Sequence, residues 1–361
     1  MKINKQYYWL GLGALIVLGL VGYFNQNSNS KEVKLGVIAG TTGAYAAAGE
    51  GYMKGFNLAM EEWNKTHELK FNDVVEDDGF NAVKGLAAYQ KLKSFDKPDA
   101  YAIVSSFTID ATSDLLHTEG KPVALGFEQS KPAEADNIYQ ILPSAKPVQF
   151  SLGEKAKSLG YKNAVVAVSN NSPVYQNFYA GFTEGYGNAP EFKINSDNSQ
   201  ISTQAIAMLK SKPDVVVIYM VPKDGALLVR EILKLTTKEN RPFFVFDQSI
   251  QSGLPDYTKI LGADFSKIDN SIVAMSRNDL STNFSQMYKA KYNEVPPFGA
   301  DMGYNSFTLL ASTYDKSSVN WIDNMQKAKV AGADGEFTFN KEGLRMPDVV
   351  FAKLVNGQVI Q

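Results

Sequence analysis

The chain of 361 residues has no cysteine and only two histidines, His67 and His117. The missing thiols exclude disulfides, thiolate nucleophiles, iron–sulfur ligation and anchoring through an acylated cysteine. Two imidazoles cannot build a site with several histidine ligands. We therefore expect neither a metal site nor a cofactor.

Clustered positive charge is also missing. The 36 Lys and Arg residues face 38 Asp and Glu residues, which gives a net charge of −2. A nucleic-acid surface needs grouped Lys and Arg, so nucleic acid is not an expected partner. The Gly-x-Ser-x-Gly elbow of many hydrolases is absent, which makes an extracellular hydrolase the weaker alternative.

One long apolar run stands near the N-terminus. Lys2 and Lys5 precede the uncharged stretch Tyr7–Phe24, which just suffices to cross a bilayer as a helix. The preceding charges predict that the N-terminus stays cytoplasmic and that the body is exported to the periplasm or cell surface. We expect residues 1–30 to be a membrane anchor and tether, with a cleaved signal peptide as the open alternative.

From Val33 onward, apolar runs of strand length alternate with amphipathic helical patterns. Continuous Val and Ile runs are typical of parallel strands that are covered by helices on both faces. The predicted strands are 33–39, 71–78, 101–106, 122–127, 163–169, 214–220, 242–247 and 271–275. Strand–helix–strand order predicts right-handed units in open parallel sheets.

The alternating pattern runs twice. Residues 141–147 separate the two halves, and Pro143 and Pro147 favour an extended crossover there. Further helical patterns follow at 281–292, 302–315 and 319–328. Asn356-Gly357 then predicts a hairpin turn within 347–360.

The predicted fold is α/β, with two similar doubly wound parallel-sheet lobes and a cleft between them, preceded by the N-terminal apolar helix. Lobe 1 takes residues 31–145 plus 277–333, and lobe 2 takes 146–276 plus 334–361. Ligands of such sheets bind at the carboxyl ends of the strands.

Three adjacent acids, Glu76, Asp77 and Asp78, invite interpretation as a metal or catalytic cluster. Successive strand residues point to opposite faces, so adjacent acids do not converge on one ion. Asp78-Gly79 also opens a turn. We interpret the three acids as the end of a strand.

Six segments occur in an order that resembles one family. They are "VKLGVIAGTTGAYAAAGEGYMKGFNLAMEEWN", "VVEDDGFNAVKGLAAYQKL", "AIVSSFTIDATSDLLHTEGKPV", "PFFVFDQS", "YKAKYNEVPPFGADMGYNSF" and "GADGEFTFNKEGLRMPDVVF". Together they resemble the type I periplasmic binding proteins, in particular the branched-chain-amino-acid and amide-binding branch that serves ABC importers.

The resemblance implies a ligand site. Ser106 matches the serine that holds the ligand carboxylate on the third-strand loop, within Ser105–Thr108 (Ser105, Ser106, Phe107 and Thr108). Asp247 matches the acid that holds the ligand ammonium. A helical pattern follows Ser106, and a helix N-terminus favours an anion. A buried carboxylate at Asp247 would form strong hydrogen bonds with an ammonium.

The sequence departs from the family pattern after the fourth predicted strand. Phe127, Glu128 and Gln129 replace small and hydroxyl residues, and the additional acid disfavours an anionic ligand. Ala48 stands where the family has a tyrosine in the first loop, with Tyr45 nearby. The remaining cleft candidates are Thr42, Tyr45, Tyr175, Tyr219, Val221, Phe298 and Asp301.

These features predict a binding protein and not an enzyme. We expect it to capture a small amino-acid-like or amide ligand between closing lobes and to deliver it to an ABC importer permease. A ligand-sensing ectodomain for a membrane receptor remains an alternative.

Overall fold

The computed structural model describes residues 32–360 except 44, 134–136, 171–173, 196–198 and 277–279. The predicted anchor or signal segment, residues 7–24, therefore lies outside the described residues. Among the helices that are described, none has the length and apolar character needed to span a membrane.

The first sheet has five parallel strands in the order β2-β1-β3-β4-β5. They are β1 Glu32–Ile38, β2 Lys70–Glu76, β3 Ala100–Ile103, β4 Val123–Leu125 and β5 Ile138–Gln140. The connecting helices are α1 Ala46–Thr66, α2 Ala82–Lys91 and α3 Ser106–Glu119, and a π-helical turn, Leu92–Asp96, follows α2. All four residues of β3 are buried, as expected for a strand covered on both faces.

The second sheet has seven strands in the order β14-β13-β10-β9-β8-β6-β7. Five are parallel: β6 Ala164–Ser169, β7 Glu191–Ile194, β8 Val215–Tyr219, β9 Phe243–Asp247 and β10 Ile272–Ser276. Its helices are α4 Ala145–Ser158, α5 Val174–Tyr186, α6 Ile201–Lys210, α7 Pro222–Leu235 and α8 Ile250–Leu261, followed by the 3-10 helix Gly262–Ile268.

The predicted C-terminal hairpin closes one edge of the second sheet. Its antiparallel strands are β13 Val349–Val355 and β14 Gln358–Ile360. Asn356 and Gly357 have φ values of 49° and 76°. A type I′ turn needs positive φ at both central residues, and Asn-Gly supplies it at low cost.

The remaining elements return to the first sheet. They are α9 Thr282–Tyr292, α10 Ala300–Ser312, α11 Ser318–Lys327, and the small two-stranded sheet of β11 Val330–Gly332 and β12 Gly335–Phe337. Met302, Trp321 and Phe337 belong to the same apolar core as strands β1 and β3. We therefore propose that lobe 1 extends on its return slightly beyond residue 333, to about Phe339, which packs on this core.

Helices α1 and α10 touch backbone to backbone. A Cβ atom on Gly55 would lie 1.8 Å from the carbonyl oxygen of Ala300, and one on Gly303 would lie 1.9 Å from that of Tyr52. Only glycine fits at these two positions. The contact fixes the late-sequence helix α10 firmly on the early-sequence helix α1.

The predicted fold class of two parallel-sheet lobes is confirmed. The segment 141–147 differs in detail, because α4 already begins at Ala145 and Pro147 lies in its first turn, where a proline is tolerated. The short strands β5, β7 and β11 were not predicted.

Candidate functional site

A cavity of about 140 Å³ lies between the two lobes, at the carboxyl ends of strands from both sheets. In the first sheet it lies at the point where the strand order reverses, between β1 and β3, which is where ligands of open α/β sheets bind. The lining residues are Tyr45, Ala48, Phe80, Ser106, Phe107, Phe127, Glu128, Leu142, Val174, Tyr175, Phe178, Asp247, Gln248, Ser249 and Phe298.

Lobe 1 supplies a row of four aromatic rings. The ring centroids of Tyr45 and Phe80 are 5.3 Å apart, those of Phe80 and Phe127 are 5.8 Å apart, and those of Phe127 and Phe298 are 5.9 Å apart. These separations are favourable for aromatic pairs. The row forms a continuous apolar wall along one side of the cavity.

Phe80 was not predicted as a site residue. It has a φ of 54°, in the left-handed region that bulky residues rarely adopt. Its ring lies where a side chain on residue 40 would otherwise be, since a Cβ on Gly40 would approach Phe80 to 2.2 Å. Strained backbone of this kind concentrates at functional sites. The available sequence signal was an aromatic residue directly after the Asp78-Gly79 turn.

Asp77 holds the loop that carries Tyr45. Its Oδ1 accepts hydrogen bonds from the backbone N–H groups of Thr41 at 2.8 Å and Thr42 at 3.2 Å. Its Oδ2 accepts from the Thr42 hydroxyl at 2.6 Å. Partial desolvation is outweighed by these hydrogen bonds, so the pKa of Asp77 is lowered. Thr42 is exposed and serves this loop; it does not line the cavity.

The N-terminus of α3 reaches the cavity through Ser106 and Phe107. Ser105 is the N-cap, and its hydroxyl accepts the backbone N–H of Phe107 at 3.2 Å. Thr108 points to the opposite side, where its buried hydroxyl donates to Asp78. Of these four predicted residues, Ser106 and Phe107 line the cavity. Ser105 caps the helix, and Thr108 bonds its other side to Asp78.

Asp247 ends strand β9 and is 2% exposed. Its Oδ1 accepts the backbone N–H of Ser249 at 2.5 Å. Its Oδ2 is buried and has no hydrogen-bond partner among the described residues. Desolvation by burial raises the pKa of Asp247 to about 6.

Glu128 follows strand β4 in lobe 1 and is 5% exposed. The backbone N–H of Ala145 donates to its Oε1 at 3.1 Å, while Oε2 is buried with no partner within the described part of the chain. Burial raises the pKa of Glu128 to about 8, and the charge of Asp247 adds to the increase. The site thus contains two carboxyl groups, each with one unsatisfied oxygen.

Two hydrogen bonds join the lobes beside the cavity. The Tyr175 hydroxyl of lobe 2 donates to the Tyr45 hydroxyl of lobe 1. Burial raises the pKa of Tyr45 to about 12, so this pair stays neutral. Asn177 Nδ2 donates to the carbonyl oxygen of Ser130 at 3.2 Å. The two lobes are therefore in contact beside the cavity.

The remaining predicted residues do not line this cavity. Gln129 is buried and its backbone N–H donates to Gln140 Oε1. Tyr219 lies behind Phe178 and donates to Gln149 Oε1 at 2.8 Å. Two further predicted residues are Val221, the N-cap of α7, and Asp301, which lines an adjoining cavity of about 40 Å³.

Several lining residues were not predicted from the sequence: Ala48 (noted only for the tyrosine it replaces), Phe80, Leu142, Val174, Phe178, Gln248 and Ser249. Phe178 lies one helical turn after Tyr175, with its ring 5.6 Å away, so the predicted position of Tyr175 at the start of a helix also indicated Phe178. Gln248 and Ser249 directly follow Asp247 at the end of β9.

Two facing parallel-sheet lobes and a cavity between their strand ends define the type I periplasmic-binding-protein fold. A sequence model of the family described as periplasmic binding protein matches residues 32–358. The chain belongs to this family, as its segments predicted.

Solved structures with the same fold support this assignment. A leucine binding protein from Thermotoga maritima superposes with a TM-score of 0.78 at 19% identity, over 91% of this chain and 97% of that one. A branched-chain amino acid transporter substrate binding protein from Streptococcus pneumoniae, in complex with isoleucine, has a TM-score of 0.73 at 18% identity, over 91% and 98%.

A solute binding protein of an ABC transporter from R. palustris, in complex with benzoate, has a TM-score of 0.71 at 16% identity, over 91% and 95%. A comparison with curated proteins finds no match. Identities this low establish the fold; they leave the ligand to be argued from the cavity itself.

Proposed function

We propose that this protein is an extracytoplasmic solute-binding protein that captures a small amino-acid-like or amide ligand and delivers it to an ABC-type importer. The observation that carries the proposal is the cavity between the lobes, with the unpaired Oδ2 of Asp247 and the N-terminus of α3 both at its surface. Family membership, and relatives described as binding leucine and isoleucine, support it.

The geometry suggests how capture works. The first N–H groups of a helix have no intrahelical partner, so α3 offers Ser106 and neighbouring N–H groups to a ligand acceptor. Asp247 offers an acceptor to a ligand ammonium or amide. The ligand binds one lobe first, the lobes then close by hinge bending, and Tyr45 meets Tyr175. No bond is made or broken.

A thermal-shift screen of the full chain against amino acids, amides, polyamines and small acids tests this function. A ligand at a hundredfold excess over its Kd stabilises the folded state by about 3 kcal/mol. We expect Ser106→Ala and Asp247→Ala each to weaken the hit. Asp114→Ala, which changes an exposed acid on the same helix as Ser106, is the control and leaves binding unchanged.

Two results would contradict the proposal. The absence of any stabilising solute would remove the binding function. Measured turnover of an ester or amide at this cavity would replace binding with hydrolysis.

A further inference from the structure

We propose that the ligand of this cavity is a small organic cation, with one aromatic ring and one ammonium group and with no free carboxylate. This inference rests on the proposed solute-binding function and names the class of solute.

The charges around the cavity are of one sign. Asp247 and Glu128 line it, one from each lobe, and Asp224 lies close enough to act on Tyr45 and Tyr175. Among the described residues that line the cavity there is no Lys, Arg or His. A ligand carboxylate would therefore be buried among acids without a side-chain cation to neutralise it.

The unmet hydrogen bonds favour an ammonium. The buried Oδ2 of Asp247 and Oε2 of Glu128 both lack a donor, whereas the second oxygen of each group already accepts a backbone N–H. A buried acceptor without a partner is costly, and an ammonium carries three donors. One ligand ammonium between the lobes would satisfy both oxygens at once.

The aromatic wall favours an apolar ring that carries this ammonium. Tyr45, Phe80, Phe127 and Phe298 line one side, and Tyr175 and Phe178 line the other. Aromatic faces attract cations, and desolvation strengthens the attraction. An apolar cavity of about 150 Å³ is known to hold one benzene molecule, so this cavity of about 140 Å³ has the size for a ligand with a single ring.

An α-amino acid fits less well. Its ammonium would use Asp247 and its carboxylate would use the N-terminus of α3, but the buried Oε2 of Glu128 would then remain without a hydrogen-bond donor. The amine or the carboxamide counterpart of an aromatic amino acid removes this conflict.

Binding of a cation should be coupled to proton release. Glu128 and Asp247 face each other and the hydroxyls of Tyr45, Tyr175, Tyr219 and Tyr257, whose pKa values burial raises so that they stay neutral. The carboxyl group of Asp224 acts on Tyr45 and Tyr175 from lobe 2. Burial raises the pKa of Glu128 to about 8 and that of Asp247 to about 6, so both carboxyl groups favour the protonated form more than usual before a cation binds. A cation binds the ionised carboxylates, so its affinity should rise as pH increases from 5 to 8.

Three probes of matched shape test the inference on the full chain: 2-phenylethylamine, L-phenylalanine and 3-phenylpropanoate, titrated by calorimetry at pH 8. We expect the amine to bind at least 30-fold more tightly than the zwitterion or the anion, with measurable proton release. Equal or tighter binding of phenylalanine or phenylpropanoate overturns the inference.

Matched variants separate recognition from packing. Glu128→Gln keeps the shape and removes the charge, so we expect at least tenfold weaker amine binding at pH 8 and a flattened pH profile. Glu154→Gln, the same change at an exposed position of α4, leaves all three affinities unchanged. Equal losses for all three probes in Glu128→Gln would indicate a packing role and overturn the inference.

Failure of the inference and failure of the function are distinguishable. If a ligand found in the wider screen bears a free carboxylate, the inference of a cationic ligand is overturned while the binding function stands. No hit among the probes or in the screen overturns both.

Discussion

Two groups of acidic side chains differ in how their positions in the sequence relate to their positions in the fold. Glu76, Asp77 and Asp78 are adjacent in sequence, yet each turns to a different partner: Lys91 at 2.6 Å, the amides of Thr41 and Thr42, and the hydroxyl of Thr108. Glu128 and Asp247 are distant in sequence, yet they share a cavity and each keeps an unpaired oxygen. An unpaired carboxylate oxygen at the wall of a shared cavity, more than the density of acids in the sequence, therefore indicates the binding site.

The largest effect expected from this comparison is on the free energy of unfolding of the ligand-free protein, when Glu128 is replaced. The folded-state pKa of Glu128 is raised from 4.5 to about 8, so folding favours its protonated form. Below about pH 4.5 the ionisation of Glu128 therefore has no effect on the free energy of unfolding. As the pH rises from 4.5 to 8, it lowers that free energy progressively. We expect Glu128→Gln to be more stable than the parent by about 4 kcal/mol at pH 8, at about 1.4 kcal/mol per pKa unit.

Urea unfolding at several pH values measures this difference, which should vanish near pH 4. Glu154→Gln, at an exposed position of α4, is the control for the substitution itself. If Glu128→Gln lowers stability at pH 8, the carboxylate has a donor that the geometry does not show, and the contrast between the two acidic groups is lost.

Replacing Asp78 should lower the stability of the protein, whereas replacing Glu128 should raise it. Its Oδ1 accepts the backbone N–H of Phe80 at 2.9 Å, and its Oδ2 accepts the hydroxyl of Thr108. Asp78→Ala leaves both buried donors unpaired, so we expect a loss of about 3 kcal/mol in the free energy of unfolding. Asp78→Asn keeps one acceptor oxygen, enough for one of the two donors, and should lose less.

Unfolding by urea and the ligand titration together check the role of Asp78. A variant that folds with unchanged stability but no longer binds ligand would place Asp78 in the site and not in the framework.

The smallest expected effect is at the contact between the lobes. Tyr45→Phe removes the acceptor of the Tyr175 hydroxyl but keeps the ring beside Phe80. One hydrogen bond contributes about 1 kcal/mol, so we expect about fivefold weaker binding, mainly through faster dissociation. Stopped-flow displacement measures the rate.

Tyr179→Phe is the matched control, because the Tyr179 hydroxyl donates to Ala189 O away from the cavity. An unchanged dissociation rate in Tyr45→Phe would show that the contact between the lobes does not retain the ligand.

Most of the fold was predictable because its signals are local. The buried runs of β3 and β8 contain no charged residue, which is typical of strands covered on both faces. The short strands β5 and β7 were not predicted, because three or four residues are too few to show a hydrophobic pattern. Their pairing also depends on the neighbouring strand.

The site was predictable only in part, because the direction in which a side chain points depends on the folded backbone. Ser106 and Thr108 are two residues apart, yet helix geometry turns one toward the cavity and the other toward Asp78. Phe80 enters through a left-handed backbone conformation and the space left by Gly40, which no periodic pattern encodes. Asp247 was predicted because the segment "PFFVFDQS" resembles the family's strand that ends in an acid, and the structure places it at the end of β9.

The backbone contact of Gly55 with Ala300, and of Gly303 with Tyr52, has a consequence for biosynthesis. Domains usually fold in order as the chain emerges from the ribosome, with the N-terminal one first. Here the first lobe cannot cover α1 until residues beyond 300 have been made, so the five parallel strands of the second lobe, β6 to β10, are synthesised while the first lobe is still incomplete. The lobe that begins the protein is also among the last parts to be finished.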